Sequence, residues 1–170
     1  MYASVTERRR FRRADGSVLL VDTEPLAVML GYRQTARRDP EAGGVLLGRY
    51  LQEAPHVVVD EVTVPMQGDR RRFTAFHRGR AQHQQIIDER WGASGGTCQY
   101  LGEWHTHPEG VPHASLVDEC DWRRRLRNDT FDSDSLFFII VGIDAVRAWE
   151  GTRSGRLHLL KEETEQFYDY

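Results

Sequence analysis

The sequence is poor in cysteine, in long apolar runs and in net charge, and each shortage excludes a class of protein. Its two cysteines, Cys98 and Cys120, cannot build the disulfide framework of a small secreted protein. No apolar run approaches the roughly 20 residues that span a bilayer, and no apolar signal core follows the charged N-terminus. A net charge of −3 gives no overall field for nucleic acid or an acidic membrane. We therefore expect a cytoplasmic protein with neither nucleic acid nor a membrane as a partner.

The length and composition are those of an ordinary folded enzyme or binding domain. We expect residues 1–170 to form a single domain that is long enough to bury a core. Hydrophobic residues make up 39% and charged residues 29% of the chain, which fits a globular protein. Arginines cluster at 8–10, 70–72 and 123–125. Their simplest interpretation is solvated faces, and the alternative is a docking surface for an acidic protein.

Periodicity and turn residues predict an α/β protein. The pattern gives a hairpin over 11–21, a helix over 25–38, strands over 43–51 and 56–64, a short strand over 72–76, a helix over 79–91, a strand over 99–105, a helix over 115–126, and strands over 136–142, 145–150 and 156–161. The segment 66–72 is polar and is predicted to be a loop. Three consecutive valines at 57–59 indicate a strand that is buried on both faces at the centre of a sheet.

The segment 102–108, Gly-Glu-Trp-His-Thr-His-Pro, has the spacing of a metal site at the end of a strand. Residues i and i+2 of a strand point to the same face, so His105 and His107 present two imidazoles side by side. Such a pair suits a tetrahedral metal with nitrogen ligands at about 2.0–2.1 Å. Pro108 ends the strand because it cannot donate the next ladder hydrogen bond.

A third ligand is available just downstream. Ser115 followed three residues later by Asp118 has the pattern of a helix N-terminus. Asp118 can serve that terminus or bind a metal as an anionic ligand. Two histidines and one carboxylate leave a position open for water, as in a catalytic zinc site. A cysteine nucleophile at Cys120 is disfavoured, because that residue comes two positions after Asp118 on the same predicted helix.

These motifs together resemble the JAMM (MPN+) metalloprotease family. The residues that carry the resemblance are His105-Thr106-His107-Pro108, then Ser115 and Asp118, and upstream Glu41-Ala42-Gly43-Gly44-Val45-Leu46-Leu47-Gly48. They span about eighty residues in the family's order. The resemblance implies a three-layer, cytidine-deaminase-like MPN fold, in which helices flank a central mixed sheet.

The resemblance also implies roles for the site residues. It implies one Zn²⁺ per chain, with His105, His107 and Asp118 as metal ligands. It implies Glu41 as the general acid/base and Ser115 as the donor of a hydrogen bond to the tetrahedral oxyanion. Spacing alone does not select Glu41, since Glu103 and Glu109 lie nearer in sequence. Glu103 shares the ligands' face and could support them as a partner, whereas Glu109 is expected to face solvent or substrate.

The resemblance carries a substrate class as well. Family members hydrolyse isopeptide or peptide bonds after the C-terminal glycine of ubiquitin or a ubiquitin-like protein. The stretch 100–109 is similar to the bacterial Mov34/MPN/PAD-1 group of anti-phage operons, both the cyclic-oligonucleotide (CBASS) type and the ubiquitin-like conjugation type. There the peptidase accompanies E1- and E2-like enzymes. We expect a ubiquitin-like modifier or its conjugate as partner, and a monomer or homodimer.

Two alternative functions remain open at this point. One is a related peptidase that processes sulfur-carrier proteins, which trials with tails ending in Gly-Gly would separate from deconjugation. The other is a catalytically silent MPN scaffold. Scaffolds of that kind lack one or more ligands, whereas this chain retains them all.

Overall fold

Eleven strands and three helices occur in residues 7–73 and 75–164, the part of the chain that the computed structural model describes. In chain order they are β1 Arg9–Arg12, β2 Val18–Val21, α1 Thr23–Gly31, β3 Gly43–Tyr50, β4 Val57–Val62, β5 Arg70–Arg72, β6 Ala75–His77, α2 Arg80–Ala93, β7 Gln99–Thr106, α3 Leu116–Asn128, β8 Ser135–Val141, β9 Val146–Thr152, β10 Leu157–Leu159 and β11 Lys161–Glu163. The predicted α/β class is confirmed.

Nine of these strands form one mixed sheet. Its order is β10-β9-β8-β7-β3-β4-β2-β1-β11, and β5 and β6 form a separate two-stranded hairpin. The pairs β2–β4 and β7–β8 are parallel, and the other neighbours are antiparallel. Valines 57–59 of β4 are at most 6% exposed between β2 and β3, as the valine run predicts. Strand β7, which carries His105 and leads directly into His107, is paired on both sides and is therefore rigidly held.

Helices cover both faces of this sheet and give the predicted three layers. Helix α1 contributes Leu26 and Met29 to the apolar core on one face. Helix α3 contributes Trp122 and Leu126 to a second core on the opposite face, against which α2 also packs. The residues of β8 alternate between the two cores, as the two-residue period of a strand requires. All seven of them are buried, which makes β8 the apolar centre that its sequence predicts.

A β-bulge in β7 reverses the alternation of its side chains just before the histidines. Leu101 and Trp104 both lie in the core beneath α1, although they are three positions apart. The reversal occurs at Gly102, where φ is +142° and the pairing with β3 shifts by one residue. Because of the bulge, His105 faces α3, and the centroid of its ring lies 6.2 Å from that of the Trp122 ring.

Several sequence-based boundaries were wrong, and each has a local cause. Helix α1 ends at Gly31 rather than near residue 38. The chain turns after Gly31, and Gln34 hydrogen-bonds two main-chain carbonyls beyond the turn. The strands β5 and β6 form a hairpin where the sequence predicted the end of a loop and one strand over 72–76. The predicted edge strand over 156–161 is two strands, since β10 pairs with β9 and β11 pairs with β1. Residues 165–170 lie outside the described part of the chain.

Within the described ranges, none of the helices combines the length and the apolar character needed to cross a membrane.

Candidate metal centre

The two histidines of the site lie at the C-terminal end of β7. His105 belongs to the strand itself, and His107 continues the ladder by donating its main-chain N–H to Val141 O at 3.0 Å. Their Nε2 atoms lie 3.0 Å apart. Each side chain is nearly buried, at 12% and 11% exposed. This geometry agrees with the prediction that the i, i+2 spacing places the two imidazoles side by side.

Asp118 reaches both histidines from the first turn of α3. Its Oδ1 lies 3.2 Å from His105 Nε2 and its Oδ2 lies 3.2 Å from His107 Nε2. The same carboxylate accepts the main-chain N–H of Ser115, and Ser115 Oγ accepts the main-chain N–H of Asp118 in return. This reciprocal capping box fixes the start of α3. Asp118 therefore both caps the start of α3 and faces the histidines.

Glu41 approaches the histidines from the segment that leads into β3. Its side chain is 7% exposed, and Oε1 lies 4.0 Å from His105 Nε2. Glu41, His105 and His107 each offer a ligand atom, and these atoms all lie within 4.8 Å of one another. Side chains from three separate segments of the sequence, those of Glu41, His105 with His107, and Asp118, thus converge on one point.

The charges of this cluster suit a cation. Burial raises the pKa of Glu41 to about 7, more than the two histidines lower it. Burial also acts to raise the pKa of Asp118, but hydrogen bonds with His105 and His107 outweigh it and hold that pKa well below its usual range. Burial acts to lower the pKa of His107, and its hydrogen bond with Asp118 more than reverses this. A carboxylate that stays ionised beside two imidazoles is a donor set for a divalent metal.

The distances also fit a small tetrahedral ion. Ligands at about 2.0–2.1 Å in a tetrahedron lie about 3.3 Å from each other. The separations among His105, His107 and Asp118 are 3.0, 3.2 and 3.2 Å. The 4.0 Å separation of Glu41 from His105 exceeds that edge. His105, His107 and Asp118 could therefore hold a metal, and Glu41 has the position of a group beside it.

Other candidates from the sequence lie elsewhere or act differently. Glu103 lines the same cleft as His105, and its carboxylate pairs with Arg78 at 2.7 Å and with Arg125 at 3.2 Å. Glu109 is 44% exposed, and its Oε1 lies 3.5 Å from His107 Nδ1, an atom that makes no hydrogen bond with the described residues.

The remaining aromatic and histidine candidates divide between core and surface. Trp104 is 1% exposed and belongs to the core, as its position predicts. The side chain of His113 is 72% exposed, as expected for a loop histidine. His83 carries no useful spacing in the sequence, yet it is fully buried and bonds Thr63 and Asp69. Only the fold brings that trio together.

Two clefts meet at the centre. One, with a volume of about 180 Å³, is polar and is lined by Arg78, Glu103 and Arg125. The other, of about 470 Å³, is lined by apolar atoms of Pro108 and Val117. Glu41 and Asp118 border both clefts. A chain that crosses the molecule through both clefts would therefore pass the metal centre.

Residues 23–152 match the family described as prokaryotic homologues of the JAB domain. This chain belongs to that family. This membership confirms the resemblance to the JAMM (MPN+) proteins, which rested on the sequence motifs. The matched region of this JAB-domain protein contains all of Glu41, His105, His107, Ser115 and Asp118.

Several relatives of this JAB-domain protein share the name CD-NTase/cGAS isopeptidase. This chain is 40% identical over 114 residues to the CD-NTase/cGAS isopeptidase of Vibrio cholerae serotype O1. The match covers 67% of this chain and 69% of the relative. The chain is also 40% identical over 113 residues to the CD-NTase/cGAS isopeptidase of Pseudomonas aeruginosa, with 66% and 70% covered. A solved structure of a Desulfitobacterium hafniense protein superposes with a TM-score of 0.56 over 84% of this chain and 88% of that one, at 20% identity, which shows the fold.

Proposed function

We propose that this protein is a zinc-dependent isopeptidase that hydrolyses the amide bond between the C-terminus of a protein modifier and a lysine side chain. The observation that carries the proposal is the convergence of His105, His107 and Asp118 at mutual distances of 3.0–3.2 Å, with Glu41 buried beside them. A silent scaffold is disfavoured, because every residue that the chemistry needs is present and in place.

We assign His105, His107 and Asp118 as the zinc ligands. When bound there, Zn²⁺ supplies Lewis-acid chemistry, lowering the pKa of water toward 7 and polarising a carbonyl. The ligand set leaves one tetrahedral position free of protein, which is the arrangement of catalytic rather than structural zinc sites. Asp118 is held by the capping box, so its carboxylate is oriented before any metal arrives.

We assign Glu41 as the general acid/base. Amide hydrolysis requires a group that takes a proton from the attacking water and returns one to the nitrogen of the leaving lysine. A carboxylate with a pKa near the working pH performs both transfers well, and burial raises the pKa of Glu41 to about 7. Its Oε1 lies 4.0 Å from His105 Nε2, which is longer than the 3.0–3.2 Å separations among the proposed ligand atoms. We therefore assign Glu41 to a water molecule rather than to the metal.

We assign Ser115 as the donor to the oxyanion. Its Oγ accepts the N–H of Asp118 at 3.1 Å, so its own hydroxyl proton is not used in that bond. Ser115 also borders the larger cleft, where a substrate carbonyl has room to lie. The hydroxyl can therefore cap the helix and donate to the developing oxyanion at the same time. Loss of one such donor costs on the order of 10²–10³ in rate.

The substrate class comes from the relatives and from the family resemblance. The Vibrio cholerae and Pseudomonas aeruginosa relatives are named for CD-NTase/cGAS, so we propose a conjugate of a CD-NTase in a CBASS anti-phage system as the substrate. The resemblance described above adds ubiquitin-like modifiers with a C-terminal glycine. Both substrates are proteins with an extended C-terminal tail joined to a lysine, and E1- and E2-like enzymes would have to form either bond.

A cleavage assay on defined conjugates tests this proposal. The probe is the Vibrio cholerae CD-NTase joined through its C-terminal carboxyl group to the lysine ε-amine of a reporter peptide. A ubiquitin-like protein ending in Gly-Gly on the same peptide forms the second arm. We expect the zinc-loaded protein to release the modifier with a free carboxylate, as measured by intact mass.

Two variants accompany the assay. Glu41→Gln is expected to lose activity by about 10²–10⁴-fold, the usual contribution of a general acid/base. Glu119→Gln is the matched control, because that carboxylate lies on α3 in an exposed pair with Arg123. Failure of the zinc-loaded wild type to cleave either conjugate would contradict the proposal.

A further inference from the structure

Gln34 is a buried amide that the proposed chemistry does not use. It is 2% exposed and follows the end of α1. Its Nε2 donates to the main-chain oxygens of Asp39 at 3.0 Å and Phe73 at 2.8 Å, and its Oε1 accepts from Thr106 Oγ1 at 2.9 Å. Carbonyl oxygens only accept, so the amide nitrogen must face them. Every hydrogen-bonding atom of this side chain is therefore used.

Thr106 connects Gln34 to the residue after Glu41. It lies between the two histidines on β7 and is fully buried. Its Oγ1 accepts the main-chain N–H of Ala42 at 2.9 Å, and its own N–H donates to Ala42 O at 2.9 Å. Since Ala42 N–H occupies the hydroxyl as an acceptor, the hydroxyl proton is free to bond Gln34. The strand that carries the metal ligands is thus fastened to the segment that carries Glu41.

The β5–β6 hairpin holds the main chain of Glu41 itself. Glu41 donates its N–H to Arg72 O at 2.6 Å, and Arg71 Nε donates to Glu41 O at 3.1 Å. Phe73, whose carbonyl bonds Gln34, is the next residue of that hairpin. The contacts therefore form a closed ring that runs from Gln34 through the hairpin, Glu41 and Ala42 to Thr106, and back to Gln34.

We propose that Gln34 is a positioning residue that sets the distance between Glu41 and the histidines. The inference rests on the proposed function of Glu41. Gln34 bonds both segments whose relative placement decides that distance, and it touches neither the substrate clefts nor the ligand atoms. Proton transfer needs donor and acceptor within hydrogen-bonding reach, and a misplacement of about 1 Å can cost on the order of 10² in rate.

The kinetic test replaces Gln34 with methionine, which keeps the shape and removes the three hydrogen bonds. With the zinc-loaded protein and the CD-NTase conjugate, we expect kcat to fall about 10–100-fold, while KM and zinc stoichiometry stay at wild-type values. The matched control is Ser135→Ala. It removes a buried hydrogen bond to Glu150 at the start of β8, the opposite end of that strand from the histidines, and we expect it to leave kcat unchanged.

Two further variants test the route of the effect. Thr106→Val removes the hydroxyl at constant shape and is expected to lower kcat as much as Gln34→Met does. It therefore tests the same contact if Gln34→Met folds poorly. Thr106→Ser keeps the hydroxyl and is expected to retain the wild-type kcat. In a Glu41→Gln background, Gln34→Met should lower the residual rate no further. A kcat loss no larger than that of Ser135→Ala, a loss of zinc, or an equal loss in the Glu41→Gln background would overturn the proposal.

A readout that does not depend on activity separates this inference from the proposed function. Hydrogen exchange of the Glu41 amide, which bonds Arg72 O, is measured by NMR in the metal-free protein. We expect faster exchange in Gln34→Met and Thr106→Val than in the wild type and in Ser135→Ala. Unchanged exchange would overturn the positioning role even if the enzyme is active. Faster exchange would support it even if neither conjugate is cleaved.

Discussion

Gly102 decides which face of the sheet receives His105, and replacing it with alanine tests that dependence. A Cβ atom at this position would lie 1.7 Å from Phe137 O, at a φ of +142°. A carbon and a carbonyl oxygen approach to about 3.3 Å without bonding, so β7 and β8 would have to separate by about 1.5 Å. A separation of that size breaks the neighbouring hydrogen bonds of the parallel pair.

The expected cost of Gly102→Ala has two parts. The positive φ costs about 1–2 kcal/mol for a residue with a Cβ, and two or three broken hydrogen bonds add about 1 kcal/mol each. We therefore expect a loss of about 3–5 kcal/mol in the free energy of unfolding. For a chain of this size that corresponds to a Tm lower by about 6–20 °C. Gly16→Ala is the matched control, since its φ is +87° and nothing lies within 4 Å of the added atom.

The assay is chemical and thermal unfolding of the metal-free proteins, followed by circular dichroism, together with zinc stoichiometry of each variant. Gly16→Ala should lose only the φ cost of about 1–2 kcal/mol and should keep its zinc. Gly102→Ala should lose more stability and also lose zinc, because a regular strand would point His105 toward the core beneath α1. Equal stability losses in the two variants, with zinc retained in both, would refute the reasoning.

Three further predictions concern single side chains. Ser115→Ala should lower stability by about 1 kcal/mol as a lost N-cap and kcat by about 10²–10³-fold, with zinc retained; an unchanged kcat in steady-state kinetics would remove its role. His83→Phe leaves the Asp69 carboxylate without its imidazole partner in the interior, so urea unfolding should show a loss of about 1–3 kcal/mol, and no loss would contradict the structural role of the trio. The double variant Cys98→Ser, Cys120→Ser should keep the wild-type kcat, since burial raises the pKa of the Cys98 thiol and the proposed chemistry uses neither sulfur; an inactive variant would revive cysteine catalysis.

The convergence of the candidate metal ligands was predictable because local periodicity and a spaced motif define their positions. The strand period alone places His105 and His107 together, and the capping pattern alone places Asp118 in the first turn of α3. Glu41 required the resemblance to a known family, because two other glutamates lie nearer to the histidines in sequence. The apolar run of β8 likewise predicts a buried central strand without further information.

The supporting structure was not predictable, because it depends on long-range contacts. Gln34 and Thr106 are separated by 72 positions, and nothing in their local sequence indicates a bond. His83 joins Asp69 and Thr63 only when α2 packs beside β3 and β7. The bulge at Gly102 was equally hidden, since a single glycine in a strand pattern does not reveal in which direction the pairing shifts.

The metal content of purified protein tests the central claim most directly. Wild type, His107→Ala and Glu41→Gln are prepared without chelators and measured by elemental mass spectrometry. The proposed roles predict about one zinc per chain in wild type, almost none in His107→Ala, and about one in Glu41→Gln. Loss of zinc from Glu41→Gln would make Glu41 a ligand rather than the acid/base. Absence of zinc from the wild type would contradict the metalloenzyme itself and favour a scaffold.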